Sequence, residues 1–333
     1  MMQSDAASIL LMIPDRKDQR LLAKALAATG CVVRTADDLE VAAAIVAEHG
    51  ADLIVADYDP PGASPDTSAW QRYDAFLTKL SQRPASAWVN GETKILLLAD
   101  RRHKSEMSKL FRLTFMSNLV AKSHQLDLHE LIVTVGKITR NDIFGVDKYL
   151  CYGVTPTTYE VRSSRDKPYL LEALAHFASG LDINRRLISV ANSVADELIM
   201  NAVYNAPVRA DGTRPYAKLP RTEVVDLAPH ESAYFTFACD GRQMVIAMRD
   251  RFGSLTADKV RNYLYRCFSM GSDQIEAKEG GAGMGLYFIV EALNKIIINI
   301  SPGRGTEVIG IIDVSGSYRD YAERSKSFHI FVA

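Results

Sequence analysis

Apolar runs alternate with stretches of helical periodicity through the first part of the chain. Residues 9–13 form an unbroken apolar run, the pattern of a strand buried on both faces. Residues 19–29 carry apolar positions at helical spacing and stop at Gly30. Residues 31–35 predict a second strand, followed by an alanine-rich helix that ends at His49 and Gly50. Residues 53–56, 95–98 and 118–121 predict three more strands. The long stretch 61–91, rich in Pro, Ser and Ala, predicts one helix over 70–80 within a loop, and 126–138 predicts a closing helix. Strands alternating with helices, several of the strands apolar throughout, predict an α/β fold built on a doubly wound parallel sheet. In such sheets chemistry gathers at the carboxyl ends of the strands.

The pattern changes after residue 138. Residues 139–156 contain Gly145, Gly153 and Pro156 and read as a connection. A strand over 157–163 and a helix over 167–180 follow. Leu181-Asp182-Ile183-Asn184 offers an Asn or Asp cap for a second helix, over 185–204. Residues 234–239 and 242–248 flank Asp240-Gly241, a pair suited to a tight hairpin turn with positive φ. A helix over 256–268, a glycine-bearing flap over 269–281 and a helix over 284–294 come next. Strands over 296–300 and 307–314 are joined at Pro302-Gly303, and 328–332 predicts a last, edge strand. Three parts result: a first domain over 1–138, a linker over 139–156 and a second domain over 157–333.

Composition narrows the classes of function. A hydrophobic share of 47% and a charged share of 24% belong to a folded chain, and 333 residues suffice for two cores. A net charge of -1 gives no global field for nucleic acid or an anionic membrane, so neither is an expected partner. Cys31, Cys151, Cys239 and Cys267 lack metal-type spacing and fit a reduced, cytoplasmic protein. No apolar run approaches the roughly 20 residues that cross a bilayer.

Two charged residues stand at strand ends in the first part. Asp57 follows the third strand and Lys122 follows the fifth. With the strand pattern, they make this part resemble a response-regulator receiver domain of the flavodoxin-like fold. The resemblance implies that Asp57 is the phosphoacceptor and Lys122 its partner. The rest of that site departs from the family. Ile13-Pro14 stand where receivers carry an acidic pair for magnesium, with only Asp15 beyond. Ala99 replaces a hydroxyl residue, and Ser123 replaces a proline. Ile and Pro cannot ligate a hard cation that prefers oxygen. Two readings of Asp57 and Lys122 stay open: a phosphoacceptor site, or a structural ion pair in a pseudo-receiver kept for docking or dimerisation.

Four short motifs stand out in the second part. Glu197 and Asn201 lie at i and i+4 on one helix face. Asp250 ends a strand three residues before Gly253. Gly280-Gly281-Ala282-Gly283-Met284-Gly285-Leu286 opens a helix, where free backbone N–H groups suit phosphate oxygens. Gly303-Arg304-Gly305-Thr306 follows. Together they resemble the GHKL or Bergerat ATP-binding domain, an α/β sandwich shared by histidine kinases, gyrase, MutL-type repair proteins and anti-sigma-factor serine kinases. The resemblance implies ATP and Mg2+ as cofactors. Asn201 would hold the magnesium and Glu197 would be the catalytic base. Asp250 would accept from the adenine amino group, with Gly253 beside it. Gly281, Gly283, Gly285 and Leu286 would border the lid and phosphates, and Thr306 would lie near the adenine.

Between the receiver-like part and Glu197 there is no room for the two long helices of a histidine kinase, and His176 has no acidic neighbour. The second part is more similar to anti-sigma-factor serine kinases. It departs from them at Asn205, where a basic residue is common, and in an inserted stretch over 207–229 that holds Arg209, Arg214, Lys218 and Arg221. The expected function is therefore a signalling protein whose receiver-like domain regulates an ATP-dependent serine/threonine protein kinase. Its expected partner or substrate is a protein, an antagonist or sigma-factor-type regulator, with homodimerisation a further option. A non-catalytic ATP-switched binding or scaffold protein, and an atypical histidine-kinase-like ATPase, remain alternatives.

Overall fold

The computed structural model describes residues 6–58, 68–82, 94–100, 110–113, 115–122, 126–270 and 284–333. The chain divides into two compact units, Met1–Arg101 with Lys109–Ile143, and Arg102–Ser108 with Phe144–Ala333. The stretch read as a connection is thus split, its larger share folding with the second unit. There Val146–Tyr149 forms a 3-10 turn that buries Val146 and Tyr149.

In the first unit, β1 (Ser8–Met12), β2 (Val32–Ala36), β3 (Leu53–Asp57), β4 (Lys94–Ala99) and β5 (Asn118–Ala121) are all parallel. Their order is β2-β1-β3-β4-β5, the doubly wound arrangement with its switch point between β1 and β3. The helices are α1 (Arg16–Ala27), α2 (Leu39–His49), α3 (Ser68–Ser81) and α4 (Leu128–Arg140). Carboxylates start three of them. Asp15, Asp38 and Asp127 each accept from backbone N–H groups of the first turn, which would otherwise be unpaired. The core lies where Ile9, Leu11, Leu53, Val55, Leu96 and Val120 meet the inner faces of α1 and α4, through Leu22, Leu26, Leu131 and Val135.

The second unit is built on β6 (Thr157–Val161), β7 (Ala233–Cys239), β8 (Gln243–Arg249), β9 (Lys295–Ser301), β10 (Gly305–Asp313) and β11 (Ser327–Val332). The order is β11-β9-β10-β8-β7-β6, antiparallel except that β11 runs parallel to β9. The β7–β8 hairpin turns at Gly241, whose φ is 88°, and Asp240 Oδ1 accepts from the N–H groups of Arg242 and Gln243. Its helices are α5 (Lys167–Gly180), α6 (Arg185–Met200), α7 (Ala257–Met270), α8 (Met284–Ala292) and the short α9 (Tyr318–Ala322). Helix α6 lies close on the sheet, since a Cβ on Gly310 of β10 would come within 3.5 Å of Val194 and 2.5 Å of Leu293.

Asn184 caps α6 as the cap motif suggested, accepting from Arg186 N at 2.9 Å. The helix read as 185–204 behaves differently at its end. Its last turn, Asn201–Asn205, widens to π spacing, with Ala206 N donating to Asn201 O. Such a turn shifts the helical face by one residue, and these insertions are frequent at functional sites. No helix among the described residues is long and apolar enough to cross a membrane.

Candidate functional site

A cavity of about 600 Å³ opens in the second unit between α6, α7, α8 and the sheet. Met248 and Val308 form its sheet floor, and Leu198, Ala202, Leu286 and Ile289 its helical walls. The polar lining residues are Asn201, Asn205, Asp250, Ser254, Asn262, Tyr263, Thr306 and the cations Arg214, Lys259 and Arg266. All four sequence motifs therefore supply a lining residue, Asn201, Asp250, Leu286 and Thr306, although they are far apart in the chain.

Asp250 leaves the end of β8 and turns into this cavity. Its Oδ1 accepts three backbone N–H groups, from Phe252 at 2.8 Å and from Gly253 and Thr306 at 3.2 Å. No described residue donates a hydrogen bond to Oδ2. Burial raises the carboxyl above its ordinary value, and the three N–H groups work against that rise. The Thr306 hydroxyl also favours the ionised form, yet lacks the geometry of a full hydrogen bond and is left as a buried oxygen without a partner. A carboxylate oxygen and an unpartnered hydroxyl thus stand side by side at the edge of the cavity.

Glycines allow this arrangement. Gly253 has φ of 59°, and a Cβ there would lie 2.0 Å from the backbone oxygen of Ser301. A Cβ on Gly305 would lie 2.7 Å from the backbone oxygen of Asp250. The two bare backbones let the loop after β8 press onto the β9–β10 turn, which brings the Thr306 N–H to Asp250.

Glu197 and Asn201 project together toward the start of α8. A Cβ added to Gly285 would fall 2.1 Å from Glu197 Oε2 and 3.3 Å from Asn201 Nδ2. Asn201 Oδ1 accepts from Asn205 Nδ2 at 2.9 Å, which fixes the amide. Gly281 and Gly283, also expected here, lie outside the described residues; of the flap read over 269–281, Ser269 and Met270 belong to α7 instead and 271–281 lies outside the described residues. Glycine at 285 is accounted for: it is the position where α8 touches the carboxylate.

Arg221, in the inserted stretch, is the contact that the four motifs did not reveal. Its Nη1 donates to Glu197 Oε1 at 2.9 Å and its Nη2 to Oε2 at 3.3 Å. The Glu197 carboxylate holds the guanidinium above its already high value, against the effect of burial. Arg214 of the same stretch lines the cavity and donates to the backbone oxygens of Asn205 and Ser254. The sequence signal was the absence of a basic residue at Asn205 beside an insertion rich in arginine.

In the first unit, Asp57 ends β3 and is fully buried, and Lys122 Nζ donates to its Oδ2 at 2.5 Å. Tyr73 donates to the Asp57 backbone oxygen at 2.8 Å, and burial, then the Asp57 charge, pushes its phenol up. Ile13, at the position of the acidic pair, is core, and Asp15 is spent on capping α1. Ala99 is fully buried at the end of β4, and Ser123 lies outside the described residues. Among the described residues no three His, Cys, Asp or Glu side chains converge as a metal site.

Solved structures similar to the N-terminal part of the chain include response-regulator receivers. The receiver domain of the Francisella response regulator 1452 is 17% identical, covering 40% of this chain and 98% of its own, with a TM-score of 0.31. The chemotaxis response regulator CheY4 of Vibrio cholerae gives 17% identity, the same shares of 40% and 98%, and a TM-score of 0.31. The signal receiver domain of an HD domain-containing protein from Pseudomonas fluorescens is 16% identical over 42% of this chain and 92% of its own, with a TM-score of 0.33. No protein-family model and no curated protein matches the chain.

Proposed function

We propose that the second unit binds ATP with magnesium and acts as a serine/threonine protein kinase of the anti-sigma-factor type, regulated by the receiver-like first unit. One observation carries the nucleotide reading. Asp250 offers a carboxylate oxygen with no described donor beside the unpartnered Thr306 hydroxyl, in a cavity whose sheet floor is apolar. A purine bearing a 6-amino group, as adenine does, satisfies both: the amino N–H donates to Oδ2, and the hydroxyl donates to the adjacent ring nitrogen N1. Guanine presents a carbonyl at that place and would face the carboxylate with like polarity.

The other residues suit the rest of the ligand. Asn201 Oδ1 accepts from Asn205 Nδ2 and keeps a second lone pair, so it would offer one neutral oxygen to a magnesium ion whose remaining ligands are waters and phosphate oxygens. Arg214, Lys259 and Arg266 line the cavity and oppose phosphate charge. When bound, magnesium would offset charge on the phosphates. In transfer, a protein hydroxyl oxygen bonds to the terminal phosphorus as the bond to the bridging oxygen breaks. ADP is the leaving group and Glu197 takes the hydroxyl proton. A second reading, an ATP-switched binding module without transfer, is favoured by one contact: both oxygens of Glu197 already accept from Arg221.

Labelled ATP incubated with the purified protein and a candidate antagonist decides between them. Acid-stable phosphoserine or phosphothreonine is the expected product for the kinase. Glu197→Ala should abolish the label while nucleotide binding persists. Binding without any label supports the switch instead, and an unchanged rate in Glu197→Ala removes the base assignment.

A further inference from the structure

Glu197, one helical turn before the cavity-lining Asn201 on α6, is already held by a cation, and that cation comes from outside the four motifs. The stretch 207–229 leaves the π turn of α6 and comes back to it. Tyr204, in that turn, donates its hydroxyl to the backbone oxygens of Arg221 and Glu223. The backbone around Arg221 is therefore fastened to the end of α6, and the side chain alone is free to change partner. Its guanidinium grips both oxygens of Glu197, and one of these, Oε2, is the atom that sits over Gly285 at the start of α8. Arg221, Glu197, Asn201 and the first turn of α8 thus meet at one point.

Resting on the nucleotide reading above, we propose that Arg221 is a phosphate-responsive latch at the start of α8, beside the cavity: it neutralises Glu197 when no nucleotide is bound and moves to the phosphates of a bound nucleoside triphosphate. A triphosphate brought beside an unpaired Glu197 would meet like charge, so a cation at this point is needed in both states. A planar guanidinium suits the exchange, because carboxylate and phosphate oxygens present the same two-pronged geometry. Release of Glu197 then depends on the phosphates, so the carboxylate becomes available only when a phosphoryl donor is present. Asn205 cannot supply that charge, and its amide is occupied by Asn201.

Calorimetric titration of the full chain with AMP, ADP and ATP in the presence of magnesium tests the latch. In Arg221→Gln, AMP affinity should stay within about twofold while ATP affinity falls about tenfold or more. Arg221→Lys, which keeps the charge but loses the fork, should fall between. Glu197→Gln should tighten ATP several-fold by removing the competing carboxylate, roughly following its lost charge, and this gain should vanish in the double variant with Arg221→Gln. Equal losses for AMP and ATP in Arg221→Gln would show a merely structural residue, and an unchanged ATP affinity would overturn the latch while leaving the nucleotide site standing. A wild-type protein silent to all three nucleotides overturns the site and the latch together.

Discussion

At the scale of single residues, Asp250 bears most of the chemistry. One of its oxygens is saturated by backbone N–H groups, so a ligand sees the other as a fixed acceptor. Asp250→Asn turns that acceptor edge into a group of mixed polarity and should cost about 1.5–3 kcal/mol of adenine-nucleotide affinity, measured by calorimetry. Proton linkage gives a second check. Burial raises the Asp250 carboxyl above its ordinary value of 3.8. For the fold alone, a raised carboxyl contributes stability at acid pH that is lost as pH rises through the folded value. For the ligand the sign reverses, because an amino donor binds the ionised form. Affinity should therefore weaken as pH falls through the raised value, above the ordinary carboxylate range, and Asp250→Asn should flatten that dependence. A wild-type profile that is flat there would remove Asp250 from the recognition of the base.

At the scale of elements, much of the scaffold was legible in the sequence. The helix Lys167–Gly180 shows its bounds through Pro168 near its start, and the β7–β8 hairpin through Asp240-Gly241. These are local effects, set by residues that satisfy their own neighbours. The π turn after α6 was not legible, because the spacing of apolar positions reads the same through it, and only the i→i+5 bond distinguishes it. Nor was the Arg221–Glu197 pair, since the irregular stretch between the two carries no periodicity that would fix where Arg221 returns. The glycines were legible as motifs but not in their reasons, which separate by element. Gly253→Ala combines a φ of 59° with a Cβ 2.0 Å from a backbone oxygen, whereas Gly303→Ala meets a φ of 70° with nothing within 4 Å. Thermal or urea unfolding should show a loss of about 2–4 kcal/mol for the first and only about 1–2 kcal/mol for the second. Equal losses would mean that the loop after β8 is not pressed onto the β9–β10 turn.

At the scale of the whole molecule, two units each carry a buried or half-buried carboxylate gripped by a cation, Asp57 by Lys122 and Glu197 by Arg221. Their settings differ. Around Asp57 the positions that would bring a metal are Ile13, a core residue, and Asp15, a helix cap. Acetyl phosphate with magnesium should therefore leave Asp57 unlabelled by mass spectrometry, and Asp57→Ala should lower thermal stability equally with and without acetyl phosphate. Stable labelling of Asp57 would restore the phosphoacceptor reading. Glu197 instead lies against Gly285 at the start of α8, one helical turn from Asn201, which lines the open cavity with Asp250, Leu286 and Thr306. The most direct measurement is calorimetric titration of the full-length protein with a nonhydrolysable ATP analogue and magnesium, beside the guanine analogue. Saturable heat with the adenine compound, weak or no heat with guanine, and loss of the signal in Asp250→Asn are the expected result. No heat with either, or equal affinity for both bases, would contradict the account.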